Sequence, residues 1–459
     1  MTDSNDTDWL FDRISGHGEK PFLATCGQTH SYDELLVALE RADLALSGKI
    51  PAGASIAILG DYSLESISSL LWLLKNRNII VPIAGSADLE LRERCREAYC
   101  DFLIDTVSEP GCMHFKKLDD PGGTHELIEK LRGGNRAGLV LFSSGSAGKP
   151  KAMIHDLTNL VQIYADRKAR NLSMIVFLMF DHIGGINTLF NSLASGSFMV
   201  APVKRDAEEV AVLIQEHKVT ILPTSPTFLN LLLIAEAPRR FDLSSLKIIT
   251  YGTEPMPESL LLKLRKTFPK VKFLQTFGTS ETGISRTDSK SSGSLFMKLD
   301  DPDIEHKVVD GELWLRSKTQ ILGYLNHSMA SFTEDGWFRT GDKVEVDESG
   351  YLRVVGRSKE MINVGGEKVV PSEVESVILE VNCVKDCTVF GQPSPVTGEI
   401  VAAKVLLNEG VDQAVAKSEI RKHCSARIAR YKVPVKIIFV AESLFGDRFK
   451  KKRNLASAD

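Results

Sequence analysis

The sequence predicts an α/β protein: a large N-terminal domain of mixed and parallel sheets with a small β-rich element, followed by a small, mobile α+β C-terminal domain. Three observations carry this reading. Strand-like and helix-like segments alternate through most of the chain, the rhythm of an α/β fold. After about residue 305 the texture changes to short strands joined by tight turns. Beyond Gly356 a helix start, a strand pair and a second helix make up a unit of about a hundred residues, an ordinary domain size.

The elements follow in order. SIAIL (residues 55–59) reads as a buried strand, residues 63–75 as a helix, and IIVPI (residues 79–83) as the next strand. The pattern returns with a helix over 207–218 and a strand over 219–223. Next come a strand in KIITYG (247–252), a helix from Pro257 to about Phe268, and a strand over 271–278. GELWLRS, DGWFRTGD and VEVDESGYLRVVGR form the β-rich element. PSEVESVILEV (371–381) opens a helix with Pro in its first turn, and a second helix is expected around 417–429. The domains are therefore expected at 1–356 and 357–459.

With 459 residues the chain exceeds one ordinary core, and 43% hydrophobic with 25% charged residues is a globular composition. A formal net charge of −4 gives no overall pull toward nucleic acid or anionic membrane. The opening MTDSNDTDW is acidic and polar, unlike a secretory or import signal, and no apolar run reaches membrane-spanning length. Seven scattered cysteines complete no zinc-ligand pattern, so a cytoplasmic location is expected.

LVLFSSGSAGKPKAMIH (residues 139–155) passes from a strand end into Ser143, Ser144, Gly145, Ser146, Gly148 and Lys149. These are residues that turn N–H and hydroxyl donors toward an anion. It is not a Walker loop, because its glycines are three apart and Pro150 follows Lys149. The alternative is an ordinary Ser/Gly turn. TFGTSETG (276–283) sets Gly278, Thr279, Ser280 and Glu281 directly after a strand, suited to a phosphate and a hard cation, or else to capping a helix. Gly252, Thr253 and Glu254 end another strand, where glycine admits a flat ligand or simply turns the chain. Asp342 in DGWFRTGD is either a turn residue or an acceptor for ribose hydroxyls. GRSKEMINVGGEKVV places Arg357, Lys359, Gly365 and Gly366 at the inferred boundary, as a linker or as a hinge.

In this order and spacing the motifs resemble the adenylate-forming superfamily of acyl- and aryl-CoA synthetases, peptide-synthetase adenylation domains and luciferases. The resemblance runs from about Phe22 to the C-terminus. It implies that residues 143–149 hold the β- and γ-phosphates of ATP, that Gly252, Thr253 and Glu254 line the adenine with Phe277 stacked on it, and that Ser280 meets the α-phosphate. It further implies that Glu281 ligates Mg²⁺, that Asp342 and Arg357 bind the ribose, and that Lys359 is the pivot of the small domain. The family's catalytic lysine falls on Lys450, sixteen residues after Pro434. Phe449 stands where the family has Gly, and Lys451 and Lys452 adjoin, so the choice among the three lysines stays open.

The implied reaction activates a carboxylic acid as an acyl-adenylate, releasing pyrophosphate, and then transfers the acyl group to a thiol, that of coenzyme A, past Gly365 and Gly366. FLMFDHIGGINTLF (177–190) matches the family's acyl-pocket segment. There His182 would sit near the carboxylate, Gly184 and Gly185 would leave space, and Asp181 and Tyr251 would border the acid. A competing alignment makes Phe180-Asp181 the amino-group site of amino-acid adenylation domains, with a separate carrier-protein phosphopantetheine as acceptor. The FKKKR tail leaves a third reading, a catalytically lapsed binding protein.

Overall fold

A computed structural model describes residues 6–85, 87–119, 123–143, 150–441, 444–446 and 451. Among these, Ser55–Leu59 and Ile79–Ile83 pair in parallel, with Phe102–Asp105 on one side and Gly138–Ser143 on the other. The apolar runs read from sequence lie at this centre, where both faces are covered: every residue of IIVPI is buried. Antiparallel strands His114–Lys117, Lys151–Asp156 and Gly323–Tyr324 extend the edges. The helix Leu64–Lys75 begins where the Ser63 side chain accepts from Ser66 N–H, and it packs its apolar surface against this sheet.

A second sheet runs in the order Lys272–Gln275, Ile248–Tyr251, Ile221–Thr224, Ser173–Ile175, Phe198–Val200, Pro21–Thr25, Gln28–Ser31. All its pairings are parallel except the terminal hairpin. Helix Ala207–His217, capped by Asp206, and helix Glu258–Thr267 cover it, as the alternation predicts.

The segment expected as one strand over 271–278 divides at Thr276. Its N–H turns back to the Tyr251 carbonyl at 2.8 Å, and Phe277–Thr279 leaves to pair antiparallel with Gly283–Ser285. The β-rich element is an antiparallel sheet that includes Glu312–Ser317, Phe338–Val346 and Leu352–Arg357.

The last strands, Ile362–Val364, Glu367–Val369, Val384–Ser394, Gly398–Leu407 and Lys436–Phe439, form their own sheet with a separate apolar core. Its helices are Pro371–Ile378 and Gln413–Arg427. The second starts earlier than its apolar pattern suggests, because Asp412 caps it by accepting from Val415 N–H. All seven cysteines are free, and no helix among the described residues is long and apolar enough to cross a membrane.

Candidate active site

The neighbouring parallel strands Ile248–Tyr251 and Lys272–Gln275 end side by side, with Tyr251 opposite Gln275. Ligands of open α/β sheets gather at such carboxyl ends. Gly252 is required there by close approach: a Cβ would stand 2.6 Å from Thr276 Oγ1 and 2.8 Å from Thr276 O. Thr253 follows in the left-handed region at φ 71°, a conformation that a β-branched residue holds only under constraint. Glu254 Oε1 accepts from Thr227 N–H at 2.7 Å. Phe277 is half-buried and packs against the core of the β-rich element. Tyr251 belongs to the buried core of the second sheet and is not open to a ligand, a departure from its expected place beside the acid.

The serine-glycine loop joins antiparallel strands, with Ser143 opposite Lys151. A Walker loop leads from a strand into a helix, so the hairpin excludes that motif on topology as well as on spacing. Ser144, Gly145, Ser146, Gly148 and Lys149 lie outside the described residues. On the far side of the loop Asn326 accepts from Ala152 N–H and donates to the Pro150 carbonyl, fixing where the strand resumes.

Thr279, Ser280 and Glu281 occupy the turn between Phe277–Thr279 and Gly283–Ser285. The Thr279 hydroxyl accepts from Thr282 N–H at 3.1 Å, so the local cap closes a hairpin turn and does not start a helix. Gly278 has the Gly283 carbonyl 2.6 Å from where its Cβ would be. The Tyr324 hydroxyl donates to Glu281 Oε1 at 3.0 Å. Burial, and then the Glu281 charge, push the Tyr324 phenol well up, so it remains a donor. Tyr324 pairs with Met153 on the strand that follows the serine-glycine loop, and Lys151 Nζ lies 5.3 Å from its ring centroid. Lys151, Thr276 and Tyr324 were not singled out by the sequence motifs. Lys151 stood in the quoted loop, but Tyr324 has no local signal because its partner is 43 residues away.

On the acid side, His182 caps the helix Ile183–Ser195, its Nδ1 accepting from Gly184 N–H at 3.0 Å. A neutral ring so held carries its proton on Nε2. Gly184 and Gly185 do not leave space. A Cβ on Gly184 would meet Leu178 Cδ1 at 2.4 Å and one on Gly185 would meet the Met179 carbonyl at 2.0 Å, so the chain itself fills the gap. Asp181 is buried, with Arg94 Nη1 at 3.5 Å. A guanidinium already faces the carboxylate that the competing amino-acid alignment assigns to a substrate ammonium.

At the boundary, Asp342 is buried and paired in register with exposed Arg357, Nε to Oδ1 3.0 Å. Lys359 follows in the short 3₁₀ turn Ser358–Glu360. Gly365 and Gly366, at φ 61° and 97°, make the exposed two-residue turn between Ile362–Val364 and Glu367–Val369, where left-handed backbone requires glycine. Lys450 lies outside the described residues.

Residues 10–325 match the family model for AMP-binding enzymes, and residues 373–448 match that for the AMP-binding enzyme C-terminal domain. The chain belongs to the AMP-binding enzyme family. This AMP-binding enzyme is 30% identical to a long-chain-fatty-acid–CoA ligase of Mycobacterium tuberculosis over 70% of this chain and 71% of the relative. It is 27% identical to an indoleacetate–CoA ligase of Aromatoleum aromaticum over 90% and 89% of the two chains. Its fold matches an anthranilate CoA ligase holding anthranoyl-AMP, with TM-score 0.82 at 22% identity over 98% and 95% of the chains. It also matches an ATP-bound MatB of Rhodopseudomonas palustris, with TM-score 0.75 at 20% identity over 97% and 96%. The expected superfamily and α/β fold class are borne out. As an adenylate-forming member of this family, the AMP-binding enzyme is an ATP-dependent acid–thiol ligase.

Proposed function

We propose that the chain joins a carboxylic acid to coenzyme A in two steps, with the expected residues other than Gly184, Gly185 and Tyr251 in the roles given above. The observation that carries this is the Tyr324–Glu281 hydrogen bond. Through it, a carboxylate at one strand end is tied to the strand that emerges from the Ser143 loop. A phosphate-binding hairpin and a cation-binding carboxylate side by side suit a triphosphate whose α-phosphorus is attacked.

A carboxylate is a poor acyl donor and is repelled by the triphosphate, so catalysis has to come from positioning and charge neutralisation. Ser143 and the loop after it, including Lys149, hold the β- and γ-phosphates, while Ser280 and Lys450 meet charge at the α-phosphate. Gly252, Thr253, Glu254 and Phe277 frame the base, Asp342 and Arg357 take the ribose, and His182 presents Nε2–H to the acid. No cluster of three metal-ligating side chains occurs among the described residues. Glu281 would hold Mg²⁺, which would supply charge neutralisation when bound. The small domain begins at Arg357 and pivots at Lys359, bringing Gly365 and Gly366 toward the adenylate for the thiol step.

The relatives act, by name, on fatty, indoleacetic and anthranilic acids, which favours an acyl or aryl acid. A pyrophosphate-exchange screen over fatty, aryl and amino acids tests the first step. Release of acyl-CoA in the absence of any carrier protein tests the second. No exchange with any acid would sink the proposal, and exchange with amino acids alone would return the carrier-loading alternative.

A further inference from the structure

Residues 177–182 join the strand Ser173–Ile175 to the helix that His182 caps, and they run beyond the parallel ladder. Pairing with Phe198–Val200 ends at Ile175, after which Val176 N–H donates to the Val200 carbonyl at 2.9 Å. Past that point the backbone's polar groups need other partners. Two side chains from different sheets supply them. Arg205 Nε donates to the Phe177 carbonyl at 2.7 Å, and Asp61 Oδ1 accepts from Phe180 N–H at 3.1 Å. The same two side chains are joined to each other, Arg205 Nη2 donating to Asp61 Oδ2 at 2.6 Å. With 13% and 29% of their side chains exposed, salt screens them less than a surface pair.

Both residues follow strand ends. Asp61 comes after the central strand Ser55–Leu59 of the first sheet and Arg205 after Phe198–Val200 of the second, so the pair joins the two sheets at the acid segment. Each is fixed in its own loop. Asp61 Oδ1 also accepts from Tyr62 N–H at 3.0 Å, and Val203 N–H, two residues before Arg205, donates to Glu209 Oε1 at 2.8 Å. On the other side of His182, the buried Tyr62 hydroxyl donates to the Gly185 carbonyl at 2.8 Å, while its ring meets Phe180 edge-on at 5.4 Å. Burial, and next the Asp61 charge, hold the Tyr62 phenol well above its ordinary pKa, so it stays a donor. Between these fixings His182 N–H donates to the Met179 carbonyl at 3.1 Å. The histidine is bracketed on both sides by side chains that belong to no ligand motif.

We propose that Asp61, Arg205 and Tyr62 are positioning residues for the acid: they clamp the backbone before and after His182 and thereby set where its Nε2–H meets the substrate carboxylate. The inference rests on the proposed acid–thiol ligase reading. It adds to that reading what holds the acid side in place.

The test uses the full chain and the acid that gives the fastest pyrophosphate exchange in the screen above. Arg205→Met keeps the stem but removes the donor to Phe177 and the partner of Asp61. Loss of hydrogen bonds to a charged group should lower kcat/KM for the acid by about 10- to 100-fold, while the KM of ATP stays within about 2-fold of the parent. Because the clamp acts through His182, Arg205→Met added to His182→Ala should cost less than about 2-fold more, whereas an independent structural defect would add in full. Should Arg205→Met fail to fold, Tyr62→Phe, which loses a single hydroxyl, is expected to give the same split at about 3- to 10-fold.

Equal loss for acid and ATP, no loss for either, or full additivity with His182→Ala overturns the proposal. If the parent exchanges pyrophosphate with no acid, the ligase reading fails separately. Amide hydrogen exchange then decides the clamp on its own: the peptide spanning residues 177–185 should exchange about 10-fold faster in Arg205→Met, and unchanged protection there refutes it.

Discussion

Arg357 Nε stands 3.0 Å from Asp342 Oδ1, and the two are direct partners across an antiparallel ladder. The pair lies where the strand Leu352–Arg357 gives way to the turn Ser358–Glu360. The two groups expected to bind one ribose thus orient one another from adjacent strands, with Asp342 buried and Arg357 exposed.

Asp342→Asn keeps the shape but removes a charged acceptor. A hydrogen bond to a charged group contributes about 1.5–3 kcal/mol, so kcat/KM for ATP should fall by about 10- to 100-fold. The KM of the acid should hardly change. A two-substrate kinetic grid reads this directly, and a loss shared equally by both substrates would remove Asp342 from the nucleotide side.

Tyr324→Phe removes the donor to Glu281 with little change of packing. Glu281 then loses a fixed direction, and half-maximal exchange should need more Mg²⁺, with a rate loss of about 10-fold at limiting metal. A Mg²⁺ titration of pyrophosphate exchange checks it. Identical titration curves for parent and variant would detach Glu281 from the metal.

Gly252→Ala tests the strand-end loop. Its new Cβ would press on the Thr276 carbonyl and hydroxyl. Overpacking of this kind costs about 1–3 kcal/mol. Thermal unfolding should shift down, and the KM of ATP should rise more than that of the acid. An unshifted midpoint would show that the loop yields freely.

Much of this was legible in the chain, for physical reasons. SIAIL and IIVPI are largely apolar and rich in β-branched Ile and Val, and the middle of a parallel sheet buries both faces of such a run. The four ligand motifs are contiguous, so their order survives in one dimension. What the sequence concealed is pairing at a distance. Gly184 and Gly185 looked like room for a substrate, yet they are small because Leu178 and Met179 press on them. Tyr324 and Arg94 carry no motif, and their partners Glu281 and Asp181 are brought to them by sheet order and helix packing. Three adjacent lysines cannot be told apart by counting, and the burial of Lys451 against Asp386 follows only from long-range packing.

His155 supplies the pH dependence. It is wholly buried on the strand Lys151–Asp156, against the backbone carbonyls of Thr319 and Ser280. Burial lowers its pKa from 6.5 to about 4, the two carbonyls offsetting only part of that. The unfolded chain therefore binds this proton near pH 6.5 and the folded chain only near pH 4, so the folded state loses stability as pH falls through that window. Between pH 7 and pH 4.5 the loss from this one group is about 2 kcal/mol. His155→Gln, which does not titrate, should be less stable at pH 7 but show a shallower decline. Urea unfolding of parent and variant at several pH values isolates the term, because every other titrating group is common to both. Parallel stability curves would mean that the ring is hydrated in the folded state. Since the ring backs onto Ser280, the parent should also lose adenylate formation in the same window, ahead of global unfolding.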